Sequence, residues 1–338
     1  TAHLTSSGGS PEPRLVQAHV VFRHGQRLPC EPFFADDREF WSKRMEGIED
    51  RPGIDIAAAL ENARDADRCF DPRPGAWRKQ MLTLDGWDAA VVLGKRLRRK
   101  YGETLLAPSD DVTPEMRVDA RATDTMRTQL SAQAVLEGLL PGQGMAKAVY
   151  SATTWSLFSG SRPFDKLMIA LGPFAKRLMK SIKVHGDVRD VIVGQVDLRQ
   201  DEKFLRSALQ EVSKQADNSL LFDSETVSIF LLGDSLNQRR IHGGELPSSV
   251  APPLAHSLEN YFEDAFDRCV QNRADALEAH GPILKEIFST MKFDASNKKL
   301  FLYCAHDLTI LSMLRVLCLF PKPYPKTLTS LIFEVYEW

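Results

Sequence analysis

Three short polar clusters carry the residue types that phosphoryl chemistry needs. Arg23-His24-Gly25-Gln26-Arg27, the stretch from Arg121 to Arg127, and His306-Asp307 each follow a compact apolar run. Arg23, Arg27 and Arg127 offer planar guanidinium forks, which match phosphate oxygens in pairs. Each charge-assisted hydrogen bond contributes roughly 1.5–3 kcal/mol. Three such groups hold a dianion and the charge spread over its equatorial oxygens during transfer. Gly25 lets the backbone turn sharply behind His24 and leaves room for a ligand.

His24 is the informative member. Arginine charges around it disfavour the imidazolium, so the ring is expected to be neutral well below its ordinary range and therefore nucleophilic. Asp307, beside His306, is the candidate acid: a carboxyl that begins protonated donates to a departing alkoxide and then activates water. A protonated acid and a neutral histidine together imply an acidic working range. With arginines and His306 neutralising charge, no metal and no cofactor are required.

These clusters need a scaffold that brings them to one rim. Leu15 to Phe22, Glu115 to Ala120, Leu300 to Cys304 and Leu331 to Tyr336 read as short strands. Leu84 to Tyr101 reads as a helix closed by Gly102, a second helix runs from Thr123 or Asp124 to Leu139, and a third from Leu308 to Phe320. Between Cys30 and Trp77 a long loop with one short helix near Ile54–Ala66 is expected. Residues 1–13 read as a disordered leader. From about 146 to 295, helical stripes such as Leu167, Leu171, Phe174 and Leu178 recur with one short strand pattern, Val191–Val196. That stretch is expected to be a mostly helical insertion. In an open α/β sheet, the crevice beyond the carboxyl ends of the strands is the ligand site, which is where all three clusters fall.

Composition narrows the classes further. The 338 residues carry 43 basic and 45 acidic side chains, a net charge of −2 that excludes nucleic-acid binding driven by bulk charge. The most apolar stretch, Phe301 to Phe320, is broken by His306, Asp307 and Arg315 and is no membrane span. Five scattered cysteines form no disulfide framework or Cys-x-x-Cys zinc pair; a Cys30–Cys69 bridge is conceivable. There is no Gly-x-Ser-x-Gly elbow and no His-Glu-x-x-His pair.

The ordered set Arg23-His24-Gly25-Gln26-Arg27-Leu28-Pro29 and His306-Asp307 resembles the histidine acid phosphatase family, a branch of the histidine phosphatase superfamily. Leu82-Thr83 with Gly86, and Leu93-Gly94 through Tyr101, resemble its second block. Arg121-Ala122-Thr123-Asp124 with Arg127-Thr128, Ser131-Ala132 and Gly138 to Pro141 resembles its third, and Gly281-Pro282 to Leu311 followed by Leu331–Tyr336 its last. The resemblance implies a site with His24 and Asp307 as catalytic groups, a phosphohistidine forming on His24 with Asp307 as proton donor, and with Arg23, Arg27, Arg127 and His306 around the phosphate. It implies a three-layer α/β/α core with a mainly parallel sheet at 14–145 and 296–338, and a helical cap at 146–295. A small phosphomonoester substrate and a secretory, lysosomal or organellar setting follow from the same likeness.

Leu15-Val16-Gln17 and the stretch Ile229 to Pro247 look most like the family's subgroup acting on lysophosphatidic acid. An inositol phosphate phosphatase and a non-catalytic phospholigand-binding module are the alternatives. Gln26 departs from an aspartate common in the family, and the family continues past the position of Trp338 with a further strand and a cysteine-bearing tail.

Some polar residues near these motifs have plainer readings. Arg121 suits an ion pair with Asp119 or Asp124 as well as it suits a ligand. His19 reads as a satisfied interior residue, His242 as a pocket candidate near Asp234, and Arg96, Arg98, Arg99 and Lys100 as a solvated helix face.

Overall fold

The computed structural model describes residues 12–29, 34, 36–62, 80–109, 111–123, 125–142, 225–246, 252, 255–256, 259, 273–293, 297–319 and 324–338. Residues 1–11 of the leader, the Cys30–Cys69 pair, Asp124, and the stripes and strand expected between 146 and 224 lie outside them.

The strands are β1 (Arg14–Arg23), β2 (Val118–Ala122), β3 (Leu300–Ala305) and β4 (Ser330–Glu337), in the order β2-β3-β1-β4. β1 and β2 both run parallel to β3, and β4 runs antiparallel to β1. In β1, Ala18, Val20 and Phe22 point to one face while His19, Val21 and Arg23 point to the other, and all six are buried. A strand covered on both sides reads as a continuous apolar run, and that is how β1 and β3 read.

Helices cover both faces. On one lie α3 (Leu84–Tyr101) and α4 (Met126–Leu139), whose Trp87, Leu97, Leu130 and Val135 pack with Val20, Phe22, Ala120 and Leu302. On the other lie α6 (Arg273–Phe293) and α7 (Asp307–Val316), whose Ile283, Ile287, Ile310 and Met313 pack with Val21, Phe301 and Tyr303. α6 falls within the stretch expected to form the cap, yet its apolar face lies on the sheet. His19 is interior, stacked on Phe301 and bonded to Gln17 and Tyr303.

Boundaries move in instructive ways. A 3-10 turn takes up Glu115–Arg117, so β2 starts at Val118 rather than Glu115. α4 begins at Met126, capped by the extended Thr125 rather than by Thr123. α7 begins at Asp307 and ends at Val316. The expected loop after residue 30 holds α1 (Asp37–Ser42) and a 3-10 turn at Ile48–Asp50 besides α2 (Ile56–Asn62). α1 escaped the reading because six residues are too few to display a helical period. α5 (Glu225–Ile241) lies within the stretch expected to be an insertion.

Candidate active site

Register brings the clusters together. Arg23 pairs with Ala305 across β1 and β3, and Ala122 pairs with Cys304 across β2 and β3. The next residues, His24, His306 and Thr123, therefore leave the sheet side by side at the carboxyl ends of three adjacent parallel strands. Two backbone bonds fix this edge: His24 N–H to the Ala305 carbonyl at 2.9 Å, and Thr123 N–H to the Cys304 carbonyl at 3.2 Å. The His24 and His306 rings meet edge-on, with centroids 5.6 Å apart.

The loop after β1 is held from several sides. Gly25 N–H donates to Ser131 Oγ at 2.9 Å, and Ser131 Oγ donates to the Arg127 carbonyl at 2.6 Å, which ties the loop to α4. Thr83 N–H donates to the Gln26 carbonyl at 3.0 Å. Gly25 and Gly86 meet backbone to backbone, since a Cβ on Gly25 would lie 2.6 Å from the Gly86 carbonyl oxygen. Both positions therefore require glycine.

His24 is buried, and its Nδ1 lies 2.8 Å from the Gly25 carbonyl. A carbonyl only accepts, so Nδ1 carries the hydrogen and Nε2 keeps the lone pair. Burial first, then the charges of Arg127 and Arg23, the His306 ring and Arg27, hold His24 well below the ordinary histidine range. Removal from water is the larger cause, and the arginine charges expected from the sequence add to it.

Arg23, the residue before His24, is buried as well. Its guanidinium faces the Asp307 carboxylate at 2.8 Å, donates to the Pro325 carbonyl and lies 5.1 Å from the centre of the Tyr324 ring. Asp307 also accepts the Leu308 N–H at 2.8 Å. Burial alone raises this carboxyl, but the Arg23 charge, the Tyr324 hydroxyl, His306 and the Leu308 N–H outweigh it and hold it below the ordinary aspartate range. The ligand-free site thus contains a carboxylate, where the sequence argument expected a carboxyl already protonated. The reason is local: Arg23 was assigned to the phosphate and not to Asp307.

Arg27 has an unforeseen partner. It grips Asp234 of α5 with both nitrogens, at 2.7 and 3.1 Å, and donates to the Leu28 carbonyl at 2.8 Å. Both side chains are buried. Helix α5 is anchored again by Arg239 to Asp37 at 2.9 Å, and by His242, whose Nε2 lies 2.9 Å from Thr83 Oγ1. Nothing in local spacing links positions 27 and 234.

Arg127 stands in the first turn of α4, and its charge acts on both His24 and His306. His306 is engaged at both nitrogens, with Thr123 Oγ1 2.8 Å from Nε2 and an Arg127 nitrogen 3.4 Å from Nδ1. All six expected residues are thus gathered at one sheet edge. Arg121 is not among them: it points away to Asp119 at 2.9 Å and to Glu286.

The sequence pattern that defines the histidine phosphatase superfamily (branch 2) matches residues 14–261, well over half the chain. Lysophosphatidic acid phosphatase type 6 of Pongo abelii is 24% identical over 96% of this chain and 74% of its own length. Putative acid phosphatase 5 of Caenorhabditis elegans is 25% identical over 96% of this chain and 66% of its own. Among solved structures, the phytase of Klebsiella sp. ASR1 superposes with a TM-score of 0.54 at 18% identity, over 96% of this chain and 80% of that one, a likeness of fold. With two histidines, three arginines and an aspartate meeting where parallel strands end, the chain belongs to the histidine phosphatase superfamily, branch 2, as a phosphomonoesterase.

Proposed function

We propose that the chain hydrolyses phosphomonoesters in two steps through a phosphohistidine on His24. The lone pair of Nε2 attacks phosphorus and the ester P–O bond breaks. The departing alkoxide takes a proton from Asp307. Water then attacks the phosphohistidine, Asp307 takes a proton from that water, and the P–N bond breaks to release orthophosphate. The observation that carries this reading is the 2.8 Å bond from His24 Nδ1 to the Gly25 carbonyl, which leaves Nε2 as the only nucleophilic nitrogen of the ring.

The proton on Asp307 has a physical source. A phosphate dianion beside Arg23 offsets the charge that holds Asp307 ionised, so the carboxyl becomes more basic when substrate binds. A phosphomonoester loses its second proton near a pKa of about 6, so below that it arrives as a monoanion carrying the proton Asp307 requires. An acid optimum follows, suited to a lysosomal or secretory compartment.

Arg27 and Arg127 bind phosphate oxygens, and His306 bonds the same group. Helices on both sheet faces support a three-layer α/β/α core, and α5 supports a helical cap over the site. For the ester alcohol we favour a lysophospholipid, because the type 6 relative is named for lysophosphatidic acid.

His24→Ala is expected to lower phosphate release from a chromogenic phosphomonoester at pH 5 by about 10³-fold or more. Release at the wild-type rate would overturn the mechanism. Phosphate binding without turnover in the wild type would favour a binding module. In a panel of lysophosphatidic acid, sugar, inositol and nucleotide phosphates, preference for the inositol esters would overturn the lipid assignment.

A further inference from the structure

Thr123 and Thr128 form a buried hydroxyl chain that ends on the His306 ring. Thr123 Oγ1 lies 2.8 Å from His306 Nε2 and 2.8 Å from Thr128 Oγ1. Thr128 Oγ1 in turn lies 2.9 Å from the Thr123 and Thr125 carbonyls. Those two oxygens only accept, so the single Thr128 hydrogen points to them; otherwise lone pairs would face lone pairs in a dry interior. The Thr123 hydrogen then goes to Thr128, and Thr123 is left to accept from the ring. His306 therefore carries its hydrogen on Nε2. A second observation agrees: the Arg127 nitrogen, which only donates, faces Nδ1 at 3.4 Å.

We propose that Thr123 is a positioning residue that, with Thr128, locks His306 in the Nε2–H tautomer, so that His306 bonds an anion seated on Arg127 only after the ring takes up a proton. The neutral ring offers that anion a lone pair, which repels it. The charged groups facing His306 agree with a neutral resting ring. Burial, the Arg127 charge from α4, His280 from α6 and Arg23 from β1 lower its pKa well below the ordinary value, against the raising effect of Asp307. Anion binding reverses this balance and couples occupancy to one proton.

The proposal rests on the phosphate-site reading above, and two measurements separate them. Long-range 1H–15N NMR of the ligand-free protein is expected to report Nε2–H for His306, and Nδ1–H in Thr123→Val. Sulfate, which keeps its double charge throughout the acid range, serves as the probe. Its Kd is expected to rise with pH in the wild type more steeply than in Thr123→Val, the difference approaching one proton, or about tenfold per pH unit. Thr123→Ser restores the wild-type slope. An Nδ1–H ring in the wild type, or equal slopes in wild type and Thr123→Val, overturns the proposal. Should the valine variant fail to fold, the wild-type tautomer and the serine variant decide it. Absence of phosphomonoester turnover in the wild type would count against the phosphatase mechanism alone, leaving the tautomer result standing.

Discussion

The Arg23 guanidinium and the Asp307 carboxylate face each other at 2.8 Å, both buried, one at the end of β1 and the other opening α7. This contact joins the motif proposed to supply the nucleophile to the one proposed to supply the acid. It explains how a single arginine can hold Asp307 ionised at rest and release it to protonation when a phosphate arrives. Asp307→Asn removes the acid and keeps the shape. The rate of its first step, phosphoryl transfer to His24, is expected to fall by about 10²–10⁴-fold on alkyl phosphates and far less on nitrophenyl phosphate, whose alcohol leaves unaided. Single-turnover release of the alcohol across leaving groups checks this, and an equal loss on both would contradict the acid role.

The Arg27–Asp234 pair predicts an effect on both folding and binding. Asp234→Ala leaves a buried guanidinium without its carboxylate, a loss of about 3–5 kcal/mol in unfolding free energy. Because Arg27 also loses its orientation, KM for phosphomonoesters should rise in the folded fraction more than kcat falls. Urea unfolding with steady-state kinetics reads both.

Buried histidines make the fold itself sensitive to acid. Burial lowers His280 to about 4, and His24 and His306 move in the same direction. A group whose folded pKa lies below its unfolded value of about 6.5 binds more protons when unfolded, so stability is greatest above that value and falls as pH drops towards the folded pKa. His280 alone accounts for a loss of about 3 kcal/mol between neutral pH and pH near 4. Denaturant unfolding at pH 7 and 4.5 should show this fall, and His280→Gln should flatten it.

Gly86 tests the loop scaffold. A Cβ there would collide with the Gln26 carbonyl and lie 2.8 Å from the Gln26 amide, pushing the segment that holds His24 and Arg27. Gly86→Ala is expected to destabilise by about 1–3 kcal/mol and to lower kcat/KM even where the protein remains folded. Thermal melts and kinetics on the same sample separate the two effects.

The sheet and the gathering of the six candidate residues at one edge were legible in the sequence because each cluster ends an apolar run, and parallel strands send their ends to one rim. α3 was read with its observed limits, Leu84 and Tyr101, since Trp87, Val91, Gly94, Leu97 and Tyr101 recur at helical spacing and Gly102 closes it. What remained hidden depends on tertiary placement. Asp234 reaches Arg27 across about two hundred positions, the protonation of Asp307 follows from which partner Arg23 takes, and α6 turns to the sheet through Ile283 and Ile287. No local period encodes such relations.

The most direct test of the central claim is to mix enzyme and substrate, quench into alkali within the first turnover, and map the phosphoryl group by mass spectrometry, since phosphohistidine survives base. The account predicts a phosphoryl group on the peptide containing His24, formed before orthophosphate release and absent from His24→Ala. A first turnover that releases phosphate with no adduct, or with the adduct on another residue, would contradict it.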